Sequence, residues 1–221
     1  MTTAPIHRPA AALAGLVLGA VLAACTGSGS GSIPSIPPAT TEPSPAADAC
    51  PTAQPDPLPA GETRTVTITT SQGTIALKIE ADLSPIAAGN FVALAECGFY
   101  DGVVFHRLVP GFVIQGGDPA GNGTGGPGYT IKDEPVTAKY GRGTVAMART
   151  PRPDSVGSQF FIVLDAGAEL ALADANTYQI IGTVASGMDT VDKIAAMPNS
   201  GPPENAALDP VAMTTVTVSK P

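Results

Sequence analysis

The chain contains no tryptophan, only two histidines and little charge, with 14% of its 221 residues being Asp, Glu, Lys or Arg. Each shortage excludes a class of function. Two imidazoles, His7 and His106, cannot build a His₃ zinc site or an HExxH protease centre within one chain. No run of basic residues occurs, and 19 acidic side chains stand against 11 basic ones for a net charge of −8. Phosphate backbones are bound by clustered Lys and Arg, so no nucleic-acid partner is expected. Gly157-Ser158-Gln159-Phe160-Phe161 does not form a G-x-S-x-G nucleophile elbow, which argues against a serine hydrolase. What the chain has in abundance is glycine and proline, 25 and 23 residues. The length suggests one domain with something appended.

The appendage is at the N-terminus. Residues 10–24 carry no charge, Arg8 precedes them, and no acidic residue appears before Glu42. About 20 apolar residues are needed to span a bilayer as a helix, so this shorter run reads as a secretory signal. Its exit, Leu22-Ala23-Ala24-Cys25-Thr26, resembles the lipobox of bacterial lipoproteins. That resemblance implies cleavage before Cys25, lipid on its sulfur, and a location at the outer face of a bacterial cell membrane. Residues 1–24 are thus expected to be a lipoprotein signal peptide. Residues 25–60 are expected to be the lipid-anchored Cys25 and a tether, and 61–221 the working domain. The 35 residues after Cys25 hold nine prolines and three glycines. With almost no large apolar side chains, that stretch reads as disordered. Cys50 and Cys97 remain. Outside the cytoplasm they could be joined as a disulfide, or they are two unrelated thiols.

Within the domain, Val66 and Ile68, then Ile75, Leu77 and Ile79, alternate with polar residues around Ser71-Gln72-Gly73, the pattern of a β-hairpin. Ser84-Pro85 supplies an N-cap and first-turn proline for a helix carrying Ile86, Asn90, Phe91 and Leu94 and closed by Gly98. Strands are expected at about 103–109, 112–115, 145–148, 159–164 and 179–184, a second helix at about 188–197, and a last strand at 214–218. Seven or eight short strands with two helices suggest an antiparallel barrel or sandwich, because parallel strands need a crossover helix each. Gly116 to Gly128 holds seven glycines in thirteen residues. Gly121-x-Gly123-x-x-Gly126 formally matches a dinucleotide fingerprint, but Pro127-Gly128-Tyr129 cannot open the helix that must follow. A tight surface loop near a binding site is expected instead.

The stretch Phe105-His106-Arg107-Leu108-Val109-Pro110-Gly111-Phe112-Val113-Ile114-Gln115-Gly116-Gly117-Asp118 closely resembles the signature of the cyclophilins, the cyclosporin-binding peptidyl-prolyl cis-trans isomerases. Asn122-Gly123-Thr124-Gly125-Gly126, Met147-Ala148, Gly157-Ser158-Gln159-Phe160-Phe161-Ile162 and Gly182 follow in family order, so the similarity spans about 65–219. It implies a mainly β fold, a closed eight-stranded antiparallel barrel capped by two α-helices. It also implies a proline-binding groove containing Arg107, Phe112, Val113, Gln115, Ala148, Gln159 and Phe161. Three positions depart from the common family pattern. Val113 stands where most members carry Met, Arg149 replaces an Asn whose backbone contacts substrate, and Tyr178 occupies a usual His position. The position commonly held by Trp in cyclosporin-sensitive members falls at Leu170 or, because the spacing is irregular, at Leu172. The missing indole removes one reason to expect cyclosporin binding.

The expected function is therefore acceleration of X–Pro bond rotation in exported proteins, assisting their folding. Its partners are proline-containing polypeptide segments, and its default state is a monomer. Nothing is cleaved, so no nucleophile, metal or cofactor is required. Arg107 is the expected donor to the amide nitrogen of the twisted transition state. Phe112, Phe161 and Leu170 are expected to hold the pyrrolidine ring, and Gln115 to orient the moving carbonyl or support Arg107. His106, alternating with Arg107 on a strand, is expected to face away from the groove and to be structural. The alternative is a non-catalytic proline-peptide-binding module, or a tethered chaperone, using the same groove.

Overall fold

Val66, Ile68, Ile75, Leu77 and Ile79 are all fully buried, lining one face of the hairpin formed by β1 (Thr63–Thr70) and β2 (Gly73–Glu80). The computed structural model describes residues 49–220; the expected signal segment, Cys25 and the tether as far as residue 48 lie outside them. After the hairpin come α1 (Pro85–Glu96), β3 (Val104–Val109), β4 (Val113–Asp118), β5 (Thr144–Met147) and β6 (Phe160–Val163). The chain continues through α2 (Ala168–Ala175), β7 (Ile180–Ser186), α3 (Met188–Ala195) and β8 (Ala206–Ser219). The strands close into an antiparallel barrel in the order β1-β2-β7-β5-β6-β4-β3-β8, with β8 pairing back onto β1. Closure leaves no free sheet edge.

Strand alternation sorts the core into two clusters. Ile114, Val145, Met147, Phe160 and Ile162 join the interior of the barrel with Phe91, Tyr100 and Phe105. Their neighbours Val113, Ala146, Phe161 and Val163 point the other way and form a second cluster with Tyr140, Leu172 and Ile180. The middle strands are therefore apolar on both faces, which is why β5 and β6 read as continuous rather than alternating runs. Inside, the Phe160 ring meets Phe91 and Tyr100 edge-on, with centroids 5.2 and 5.8 Å away. The helices α1 and α3 pack against the barrel strands.

Four expectations need correction. A third helix, α2, is present where two were expected; only Ala168 and Leu172, four residues apart, are buried in it. The last strand is far longer than 214–218. It spans Ala206–Ser219, and exposed Pro210 falls where its pairing with β3 jumps from Ala206 to Val211, so no ladder bond is lost. Ser84 makes no side-chain cap. The Glu134 carboxylate instead accepts from the N–H groups of Ile86 and Ala87, both at 2.9 Å, placing negative charge at the positive end of α1.

The fourth correction concerns the boundary at 61. Residues 50–60 form an extended strap along α1, starting at a Cys50–Cys97 disulfide (Cα–Cα 5.1 Å) at the helix C-terminus. Leu58 is buried and its N–H donates to the Pro85 carbonyl at 2.9 Å, at the other end of the helix. The strap passes so close that a side chain at Gly89 would collide with the backbone of Asp56 and Leu58. A proline-rich segment needs few hydrogen bonds in an extended form, and the disulfide, the buried Leu58 and Gln54, whose Oε1 accepts from Lys132 N–H at 2.9 Å, hold it in place.

Candidate functional site

A backbone irregularity aims the key cation. Phe105 and Leu108 both enter the barrel interior although they are three residues apart, which simple alternation forbids. The pairing register shifts between Phe105 and Arg107, in β3–β4 and in β3–β8, so His106 occupies a bulge. Bulges beside functional sites commonly re-aim a side chain in this way. Beyond the bulge Leu108 and its partner Ile114 face inward, while Arg107 with Gln115 and Val109 with Val113 face outward.

Directly opposed residues then form a row across four strands: Arg107, Gln115, Phe161 and Ala146. Adjacent strands lie about 4.8 Å apart, so a guanidinium, an amide and an aromatic ring share roughly 10 Å of the barrel's outer face. Arg107 is half-buried, and its Nε donates to the Glu204 carbonyl at 3.1 Å. Gln115 Nε2 donates to Gln159 Oε1 at 2.9 Å. Gln159 Nε2 donates in turn to the carbonyls of Gly123 (3.0 Å) and Gly125 (2.9 Å) in the glycine loop. Backbone carbonyls only accept, so they set the orientation of Gln159 and, through it, that of Gln115. Gln115 thereby keeps its Oε1 for Arg107 or for a ligand.

An open cleft of about 590 Å³ lies beside this row. Four of the expected residues line it, Gln115, Ala148, Arg149 and Gln159, together with the glycine loop and the unexpected Thr150 and Ser155. The remaining apolar residues assemble next to it. Half-buried Phe112, Ala148 and Tyr178 pack on the outer cluster containing Val113 and Phe161. The Phe161 and Tyr178 rings meet edge-to-face with centroids 5.4 Å apart. A Pro110-Gly111 turn, with Gly111 at φ 69° and Phe112 N–H donating to Val109 O at 3.0 Å, presents Phe112 at the edge of this surface.

Leu170 is not part of it. That side chain is 79% exposed, whereas Leu172 is 3% exposed and packs with Phe161 and Tyr178. Residues two apart on a helix lie on opposite sides, so α2 admits only one of them to the wall. Arg149 also differs from a simple wall residue. Its guanidinium pairs with Asp133 at 3.0 Å and donates to the Arg152 carbonyl at 2.8 Å, tying together the two loops flanking the cleft. Reading the sequence missed Glu134, Thr150, Ser155 and Tyr140, whose hydroxyl accepts from Tyr178 N–H at 3.2 Å. Glu134 and Tyr140 carry no local signal, because they act across 48 and 38 residues, and Thr150 and Ser155 bond within their own loop, which nothing in the sequence marks as lining a cleft.

Beneath the row sit two titratable groups. Asp118 is buried; burial alone raises its carboxyl, but the N–H groups of Ala120, Gly123 and Asn122, with the nearby His106, outweigh that and hold it below the usual carboxylate range. Those three bonds, 2.8, 2.5 and 3.0 Å, fold the start of the glycine loop around the carboxylate. His106 is buried too, and burial pushes its imidazole down; Asp118 opposes this and Arg107 reinforces it. His106 is not among the residues that line the cleft.

Comparison with known proteins adds an independent line. Residues 65–218 match the family model for cyclophilin type peptidyl-prolyl cis-trans isomerases. A peptidyl-prolyl cis-trans isomerase of Helicobacter pylori is 44% identical over 137 residues, covering 60% of this chain and 81% of that protein. One from Acinetobacter baylyi is 40% identical over 161 residues, covering 69% and 84%. Among solved structures, a Cryptosporidium parvum cyclophilin type isomerase is similar with TM-score 0.64 and 29% identity, covering 72% of this chain and 99% of that one. The same protein in the presence of the dipeptide Ala-Pro gives TM-score 0.63 and 30% identity, covering 71% and 99%.

Proposed function

Because the chain belongs to the cyclophilin-type peptidyl-prolyl cis-trans isomerases and is an isomerase of X–Pro bonds, we propose that it works on exported polypeptides from a lipid anchor at the outer face of a bacterial membrane, with Arg107 as its catalytic donor. The observation that carries the site assignment is the row Arg107–Gln115–Phe161, a cation and an amide beside an apolar surface. An X–Pro bond resists rotation by about 18–20 kcal/mol and isomerises unaided in tens to hundreds of seconds. Reaching milliseconds takes roughly 10⁵-fold, about 7 kcal/mol of stabilisation reserved for the transition state.

In the planar amide the nitrogen lone pair is delocalised and accepts nothing. Rotation breaks the conjugation, the nitrogen becomes pyramidal, and its lone pair can accept a hydrogen bond. Arg107 supplies the donor from a planar guanidinium whose N–H groups are rigidly related. A single preorganised donor is worth about 2.7–4 kcal/mol. Phe112, Val113, Phe161, Leu172 and Tyr178 supply the apolar surface that holds the pyrrolidine ring, so only the preceding carbonyl swings. That surface also favours the twisted amide, which lacks the resonance dipole of the planar one. Gln115, directly opposite Arg107 and with Oε1 unspent, is available to accept from the guanidinium or to orient the moving carbonyl. Peptide on the other side of the bond lies in the 590 Å³ cleft.

Export is supported by the uncharged segment 10–24, by the lipobox at Cys25 and by the Cys50–Cys97 disulfide, a bond that persists in oxidising compartments. A protease-coupled assay on an Ala-Pro peptide tests the activity. The wild type accelerates isomerisation and Arg107→Ala loses about 100-fold in kcat/KM; a folded wild type that binds the peptide without accelerating it is a binding module instead. Detergent phase partitioning tests the anchor. The protein enters the detergent phase and Cys25→Ala moves it to the aqueous phase; equal partitioning of the two refutes lipidation there.

A further inference from the structure

The only hydrogen bond of the Arg107 side chain among the described residues runs to a backbone carbonyl, that of Glu204, ninety-seven residues further along the chain. A backbone acceptor is only as well placed as the loop that carries it. Here the loop between α3 and β8 is built to hold one position. Asn205 is buried and sits at φ 51°, in the left-handed region that costs most side chains free energy but that Asn tolerates. Its Nδ2 donates to Pro203 O at 3.2 Å and its N–H to Gly201 O at 2.9 Å, closing the turn around Glu204. Its carbonyl accepts from Leu108 N–H at 2.9 Å, which ties the turn to the strand carrying Arg107 one residue away. Ser200 completes the frame, with Oγ accepting from Ala206 N–H at 3.0 Å, and Ala206 is itself the β8 residue opposite Arg107.

We infer that Asn205 is a positioning residue for catalysis: its left-handed backbone and its bond to Pro203 aim the Glu204 carbonyl at Arg107 Nε, and so set the plane of the guanidinium. A guanidinium is flat and its five donors are rigidly related, so engaging Nε at the rear directs both terminal nitrogens forward. Transition-state donors must meet tight tolerances, and a displacement of about 1 Å can cost up to 100-fold. Glu204 contributes its carbonyl only, so its side chain is free to vary. Asn205 touches no substrate and acts through Arg107. The inference rests on Arg107 being the catalytic donor.

A double-mutant cycle tests it. Asn205→Ala removes both the amide bond and the tolerance for φ 51°; Asn205→Gly keeps the backbone conformation, loses only the amide bond, and carries the test if the alanine variant fails to fold. In the wild-type background each lowers kcat, about tenfold or more for alanine and less for glycine, with KM unchanged. In the Arg107→Ala background neither lowers kcat further, because the group they aim is gone. The same fractional loss in both backgrounds would make Asn205 merely structural, and no loss in the wild-type background would make the loop irrelevant; either overturns the inference. Full activity of Arg107→Ala alone is a separate result that removes the underlying mechanism instead.

Discussion

The two faces of β4, β5 and β6 are made of the same kinds of residue and have opposite tasks. Inward, Ile114, Val145, Met147, Phe160 and Ile162 are wholly buried in one closed cluster. Outward, Val113, Ala146, Phe161 and Val163 sit under a layer that is only partly closed, with Phe112, Ala148 and Tyr178 half-exposed and Arg107 and Gln115 alongside. A one-residue step along a strand therefore separates groups that pack inside the barrel from groups on the outer face where the proposed site lies. The bulge at His106 brings Arg107 to the second set. Stability and catalysis should accordingly be separable by single substitutions on neighbouring positions.

The largest effect expected is on the inner face. Phe160→Ala opens a cavity among Phe91, Tyr100 and Phe105 and costs about 3–5 kcal/mol in urea unfolding, while kcat/KM per folded molecule stays near wild type. A loss of activity matching Arg107→Ala would erase the distinction between the faces. On the outer face, Leu172→Ala should cost about 2 kcal/mol and raise KM, because Leu172 backs Phe161 and Tyr178. Leu170→Ala, two residues away but exposed, should change stability by less than about 0.5 kcal/mol and leave KM alone. The reverse ranking would return the wall position to Leu170.

The smallest effect is a pH dependence of stability from the group at the bulge. Burial lowers the His106 pKa from its ordinary value near 6.5. As pH falls below about 6.5 the unfolded chain takes up a proton that the folded one does not, so stability declines there and levels off once the folded imidazole is charged. The depressed Asp118 carboxyl adds a further decline at still lower pH, when the unfolded chain protonates first. Thermal midpoints of His106→Leu should lack the first decline and keep the second. Parallel profiles for the variant and the wild type would show that the imidazole titrates alike in both states.

Which of these features could be read from the sequence follows from their range. The β1–β2 hairpin was legible because alternation and a turn lie within 18 residues, and the signature 105–118 was legible because Arg107, Phe112 and Gln115 fall on one short hairpin. The cap on α1 was not, since Glu134 arrives from 48 residues away and Ser84-Pro85 satisfies the local pattern without making the bond. The strap 50–60 looked disordered by composition, and the features that hold it, one disulfide, Leu58 and Gln54, are single residues that no average detects. Leu170 and Leu172 could not be separated without knowing that the segment is helical, because only the helix turns one of them outward. The bulge at His106 left no trace either. It is visible only in the pairing partners of β3.

The proposed mechanism requires Arg107 to bind the twisted amide and not the planar one. NMR exchange on a saturating X–Pro peptide reads the two separately, as the on-enzyme interconversion rate and the dissociation constant. Arg107→Ala should leave the dissociation constant within about twofold of wild type while on-enzyme exchange falls about 100-fold. An unchanged exchange rate with weakened binding would contradict it, and would make Arg107 a ground-state contact.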